Sequence, residues 1–166
     1  MTGGRLSNLL ARSITGESVL LVALIVQLLL PSVSRVLPSA RWFLLIAWLL
    51  MMGCLLVVAL MNVRLVGMAL VALGVALNMT VIALNGAMPV SLPAITAADP
   101  DVAIHSVKFD ALHEPLSDQT LLPLIADTIA VPGPKWHRGI VSVGDIVLVI
   151  GLGLFVFSGT RRVDVA

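Results

Sequence analysis

Charge is scarce in this sequence. Only 11% of its 166 residues are Asp, Glu, Lys or Arg, against 59% hydrophobic, where soluble globular domains carry about 25% charged and roughly 45–50% apolar residues. That scarcity excludes a chain solvated on all sides, and a mean hydropathy of +1.09 points to an integral membrane protein. Aromatic residues are also few, at 4%, and the net charge is only +1. Without a basic field or a stacking surface, nucleic acid is excluded as a partner. Cys54 is the single cysteine; it cannot form an internal disulfide, and inside an apolar run it reads as a packing residue. With most of 166 residues needed for lipid-facing helix, no separate soluble catalytic domain fits, so any chemistry must lie in the bundle or its loops.

What is present is long hydrophobic runs. Trp42 to Met61 contains no charge and is bracketed by Arg41 and Arg64, the length that a ~30 Å hydrocarbon core asks of a helix. Leu65 to Leu84 follows after Asn62-Val63-Arg64, which predicts an antiparallel helical hairpin. Ile140 to Phe157 is a further run, closed by Gly159 and Arg161-Arg162. Val19 to Val33 is shorter and interrupted by Gln27 and Pro31. Preceded by Arg5 and Arg12 it has some look of a secretory signal, but a retained first helix is the better reading. The expected architecture is therefore all-α, a single membrane domain over 1–166 with four spans, approximately 18–34, 42–61, 65–84 and 140–158, and one long loop over 85–139.

That loop holds six of the nine acidic residues and all three histidines, and its prolines forbid one long helix. Leu121-Leu122-Pro123-Leu124-Ile125-Ala126-Asp127-Thr128-Ile129 is nonetheless apolar, so part of the loop is expected on the membrane surface or folded back between helices. Orientation is weakly encoded: Arg5, Arg12, Arg64, Arg161 and Arg162 fall on one side, and Arg35, Arg41, Lys108, Lys135 and Arg138 on the other. Discounting Lys108 in the long loop favours cytoplasmic termini and an exoplasmic loop.

Polar residues inside the runs are the candidates for function. At 100° per residue, Gly67, Gly74, Asn78 and Asn85 share one face of the third span, a stripe suited to close helix contact or to an amide-lined site; Val75, about 100° away, is expected to tolerate enlargement. Gln27 is open to the same two readings. In the last span Gly144, Gly151 and Ser158 form a second small-residue seam. Asp145 lies on another face, at the helix start, where the dipole favours an anion; an intramembrane carboxylate is also a functional candidate by default. Asp127, drawn toward the membrane by its neighbours, is the second candidate. Two carboxylates sharing a dry site can divide one proton, the basis of aspartate-dyad catalysis, so Asp127 and Asp145 are the candidate catalytic residues. His105, Asp110, His113 and Glu114 match no compact metal-ligand spacing, and neither a metal nor a cofactor is expected.

Gly3-Gly4-Arg5-Leu6-Ser7-Asn8-Leu9, Leu84-Asn85-Gly86-Ala87-Met88-Pro89-Val90, Leu124-Ile125-Ala126-Asp127-Thr128-Ile129 and Ser142-Val143-Gly144-Asp145 together resemble a family of small bacterial membrane proteins known only as a domain of unknown function. The resemblance implies a bacterial plasma-membrane location and an additional apolar helix ahead of the Arg5 element, but no activity. A looser similarity, in size, span number and the aspartate that opens the last helix, is to lipoprotein signal peptidase, a membrane aspartyl protease. Its F-N-x-A-D and G-N-x-x-D-R motifs do not occur here.

These readings leave three functional classes. The leading one is a non-enzymatic interaction subunit in which Asn78, Asn85, Gly86, Met88, Pro89, Asp127, Ser142, Gly144 and Asp145 join loop to bundle, with the bilayer and a second copy or another membrane protein as partners. The others are a proton or small-solute conduit, favoured if Gln27, Asn78 and Asp145 face one another, and an aspartyl hydrolase, favoured if Asp127 and Asp145 come within hydrogen-bond reach.

Overall fold

The computed structural model describes residues 13–36, 38–134 and 137–160. Arg5, Arg12, Lys135, Arg161 and Arg162 lie outside the described residues, as do the side chains of Gln27 and Arg35. The helices are α1 (Glu17–Val36), α2 (Arg41–Met61), α3 (Met68–Asn85), the short α4 (Leu92–Ala98) and α5 (Val143–Thr160). Three of them, α2, α3 and α5, are long and apolar enough to cross a membrane. Only 22% of the most apolar window of α5 is buried within the chain. The remainder, including Val149 and Phe157, needs an apolar solvent.

The α2–α3 turn is built around Asn62, whose backbone N–H reaches the carbonyls of Val58 and Ala59. Its side chain grips the segment ahead of α1: Nδ2 donates to the Thr15 carbonyl at 2.8 Å and Oδ1 accepts the Thr15 N–H at 3.0 Å. The third span was expected from Leu65, but α3 begins at Met68. Gly67 adopts φ +90°, a left-handed conformation open to glycine and costly for other residues, and this stops the helix from extending backward. α3 is the central helix, packed on both α2 and α5, with α1 against α2. Cys54, expected to pack, is instead exposed on α2.

The all-α expectation requires correction, because the segment over 85–139 is a folded layer. β1 (Met88–Val90) pairs in parallel with β2 (His113–Pro115), and β3 (Ile129–Val131) pairs antiparallel with β4 (Gly139–Val141). Because Ile140 and Val141 are used in β4, α5 starts at Val143, later than the expected 140. α4 is opened by Ser91, whose Oγ accepts the Ala94 N–H at 3.3 Å, with Pro93 in the first turn, where its missing N–H costs nothing. The layer is clamped by Arg138 to Asp99 at 2.6 Å and joined to the top of α2 by Arg41 to Glu114 at 3.0 Å. Its apolar underside merges with the bundle: Met88 and Ala126 are buried against Leu45, Val81 and Ile82.

Candidate functional site

Where α3 meets α5, small residues bring the two backbones together. A Cβ built on Gly67 would collide with the Gly151 carbonyl, one on Gly74 would lie 2.5 Å from the Gly144 carbonyl, and one on Gly151 would lie 2.7 Å from Val71 N. The two glycine stripes therefore close on each other within one chain. Val75, expected to tolerate enlargement, is only 2% exposed, and the exposed neighbour of Gly74 is Leu73. Ser158, placed in the same seam by spacing, donates from Oγ to the Phe155 carbonyl of its own helix.

Toward the layer the seam ends in a polar knot. Asn78, 5% exposed, donates from Nδ2 to Asp145 Oδ1 at 2.7 Å, and its Oδ1 occupies the space a Gly144 side chain would need. Ser142, fully buried, donates its backbone N–H to Asp145 Oδ2, and its Oγ accepts the Asp145 N–H, both at 2.9 Å. That hydroxyl also lies 2.9 Å from Asp145 Oδ2 and from Asn78 Oδ1; one hydroxyl proton can serve only one of these oxygens at a time. Asp145 is thus capped at the helix start, as its position suggested. The contact with Asn78 lies about 10 Å along α3 from its Asn85 end, because β4 delivers α5 below that level.

Asp127 is held by its backbone rather than its side chain. Its N–H donates to the Pro89 carbonyl at 3.0 Å and its carbonyl accepts from Ser91 N–H at 2.9 Å. Val90 and Asp127 form a parallel bridge on the edge of β1 opposite β2. This explains three motif residues in one stroke. Gly86 at φ +79° turns the chain out of α3, Met88 N–H bonds the Leu112 carbonyl at 2.7 Å, and Pro89, which has no N–H to waste, offers its carbonyl to Asp127. Asn85 faces elsewhere: Oδ1 accepts Leu121 N–H at 2.8 Å and Nδ2 donates to the Leu121 carbonyl at 3.0 Å, fixing the apolar turn that precedes Asp127.

The side chain of Asp127 has a different character. The residue is 9% exposed, and Oδ1 is buried without a hydrogen-bond partner among the described residues. Such a group costs free energy unless something is to bind it. Burial, then the negative charge of Asp145, push its carboxyl up to about 7, with His113 opposing. Both aspartates line one cavity of about 230 Å³, together with Asp110 and His113 at the layer side and Trp48, Met52, Leu55, Val75, Ile82 and Leu148 of α2, α3 and α5. His113 Nδ1 and Asp110 Oδ1 are 2.8 Å apart. Burial raises Asp110, but hydrogen bonds from His113 and from the Leu112 and His113 backbone, with the His113 charge, bring it below its ordinary value.

No hydrogen bond joins Asp127 to Asp145, so the direct approach expected of a dyad that divides one proton is not met; the two instead line one cavity as separate carboxylates. Among the described residues no three of His, Cys, Asp and Glu gather closely enough to hold a metal ion, and His105 stands apart from His113. Asn78 and Asp145 each stand out in the sequence as polar residues within apolar runs, but their pairing follows only from the depth at which α5 begins. The meeting of Asp127 with Asp145 had no signal in the sequence, because it depends on a three-residue strand.

Apolar helices of membrane-crossing length, an α/β layer over one end, and an acidic cavity where the two meet define a helical membrane protein with a pocket under its cap. The chain belongs to DUF5317, a family of unknown function, whose sequence model matches residues 12–157. No curated protein and no solved structure matches it significantly.

Proposed function

We propose that this chain is an acid–base enzyme of the membrane surface, a hydrolase working through Asp127 and Asp145 in a blind pocket. The observation that carries the reading is Asp127, a residue with a buried, unpartnered Oδ1 that lines the same cavity as a second, firmly held carboxylate. Two carboxylates in unlike surroundings are how one site supplies both an acid and a base near neutral pH. With a carboxyl pushed up to about 7, Asp127 is protonated in roughly half the molecules at that pH, the range in which a general acid works best. Asp145 takes a proton from the attacking water, the water oxygen bonds to the substrate carbonyl carbon, and Asp127 gives its proton to the departing group. A conduit is less well supported: below Asn78 the α3–α5 contact closes backbone to backbone, and the polar pair at Asn62 and Thr15 belongs to another turn.

The reading includes four spans, with α1 as the first, in a bacterial plasma membrane, with cytoplasmic termini and an exoplasmic layer. Single cysteines placed in the layer of a Cys54→Ala protein should then react with an impermeant maleimide in whole cells; labelling only after lysis contradicts that orientation. An interaction subunit is the second reading, favoured by the open apolar groove on α5 formed by Val149, Leu152, Val156 and Phe157, where a second copy or another membrane helix could lie. The test that separates the two is product analysis. Protein reconstituted with a membrane extract should generate cleavage products that vanish in Asp127→Asn and Asp145→Asn, both still folded. Products identical with and without active protein leave only the interaction reading.

A further inference from the structure

The cavity is polarised, and its polarity specifies a ligand. Its layer end carries three carboxylates, Asp110, Asp127 and Asp145, against one imidazole, His113, and among the described residues no Lys or Arg lines it. Two guanidinium groups of the layer side are engaged in other pairs, Arg41 with Glu114 and Arg138 with Asp99. The other end is hydrocarbon. Counting from Arg41 at the layer end of α2, Trp48 lies about 10 Å and Leu55 about 21 Å along the helix, a depth that belongs to the bilayer interior. An anionic head group would meet like charges in a partly dry site, where repulsion is strong. A cationic one would neutralise the Asp127–Asp145 repulsion and find the Trp48 indole in the same wall, a combination suited to ammonium groups.

We infer that the pocket binds a cationic amphiphile, its ammonium head at Asp127 and Asp145 and its single hydrocarbon chain lying between α2 and α5 over Val75. This rests on the proposed two-aspartate pocket and gives it a ligand class: a chain-bearing amine or ammonium compound, taken from the membrane, whose head takes the two carboxylates in place of a scissile group. The ligand's chain approaches through the leaflet and its head stays at the layer.

The test uses Trp48 as reporter. A protein with Trp48 as its only indole (Trp42→Phe, Trp136→Phe) is placed in phosphatidylcholine vesicles and titrated with 2-bromododecyl trimethylammonium or with 2-bromododecyl sulfate, whose bromine lies beside the head group, since bromine quenches indole on contact. A reference protein keeps only Trp42, which is 71% exposed on α2. The cationic probe should quench Trp48 saturably at a concentration roughly tenfold below that of the sulfate, about 1.4 kcal/mol of preference, while Trp42 shows no saturation with either. The combined Asp127→Asn and Asp145→Asn protein should lose the preference for the cation, and Leu148→Phe should lose saturation where Val149→Phe keeps it. Equal quenching of Trp48 by both probes, tighter binding of the sulfate, or the same response from Trp42 overturns the inference. Neither probe contains the acyl bond that the proposed reaction would cleave, so binding is judged without turnover. Saturable binding with no cleavage of any membrane substrate would remove the hydrolase reading and leave the ligand class standing.

Discussion

The same two helices meet in two different ways along their length. Between Gly67 and Gly74 of α3 and Gly144 and Gly151 of α5, the contact is backbone against backbone, with no room for a methyl group. At Asn78, the level at which α5 begins, polar groups replace glycine, and the cavity lies alongside, on the α2 side. The closed part fixes the position of α5 with no polar side chain in it. The open part uses that rigidity to hold Asp145 in one orientation while leaving Asp127 with an oxygen unbonded. Damage to the first region should therefore appear as lost stability, and damage to the second as lost binding or chemistry with the fold retained.

The largest expected effect is at the closed region. Gly74→Leu drives a side chain into the Gly144 carbonyl and Leu148 and should cost about 3 kcal/mol or more, the upper end of overpacking penalties. Leu73→Phe, on the 49% exposed neighbour, should change little. Thermal unfolding in detergent compares the two, and equal melting temperatures would mean that the seam is not closed.

Next is the polar knot. Asp145→Leu strands the Asn78 amide and Ser142 N–H and should cost ~1–3 kcal/mol. Asp145→Asn retains an oxygen for Ser142 N–H, so it should unfold close to wild type while abolishing turnover. A stable and fully active Asp145→Asn protein would reduce Asp145 to a helix cap.

Asp127 should have the opposite sign, and a pH signature. Its folded carboxyl is raised, by burial and by the Asp145 charge, from an ordinary 3.8 to about 7. The stability it contributes is therefore fully present below about 4 and is lost as pH rises through 7. A tenfold difference in proton affinity between the folded and unfolded chain is worth about 1.4 kcal/mol. Asp127→Asn should then be more stable than wild type at pH 8, with the advantage shrinking by pH 5. Denaturation at the two pH values checks this, and an advantage that grows on acidification would contradict it.

The smallest effect is expected at the rim, where Arg41→Ala removes a half-exposed ion pair with Glu114 and should cost only ~0.2–1 kcal/mol. A loss as large as that of Gly74→Leu would mean that the layer hangs on this one pair.

How far the sequence leads follows the same division. Hydrophobic runs and 100° spacing depend only on neighbours along one helix, so the α2 and α3 runs and the glycine stripe of α3 can be read directly. The partner of that stripe cannot, since nothing local says that α5 rather than α2 comes within backbone contact. Strands of three residues, such as Met88–Val90, carry no usable periodicity. The pairing of Met88–Val90 with His113–Pro115, twenty-five positions away, and of Ile129–Val131 with Gly139–Val141 makes a layer of the segment expected to be a loop. Asp127 was noticed for its apolar neighbours, but its cavity arises only when β1 holds Ala126 and Asp127 against the bundle. Asp145 was noticed for its place in an apolar run; Asn78 as its partner required the depth at which α5 begins.

The most direct test is an infrared titration of the protonated carboxyl band in reconstituted vesicles, with Asp127→Asn used to assign it. The two-aspartate cavity predicts a midpoint near 7 that falls when Asp145→Asn removes the neighbouring charge and rises when His113→Ala removes the opposing one. A midpoint near 4, unmoved by either substitution, would mean that Asp127 is solvated and alone, and that the two carboxylates do not form a site.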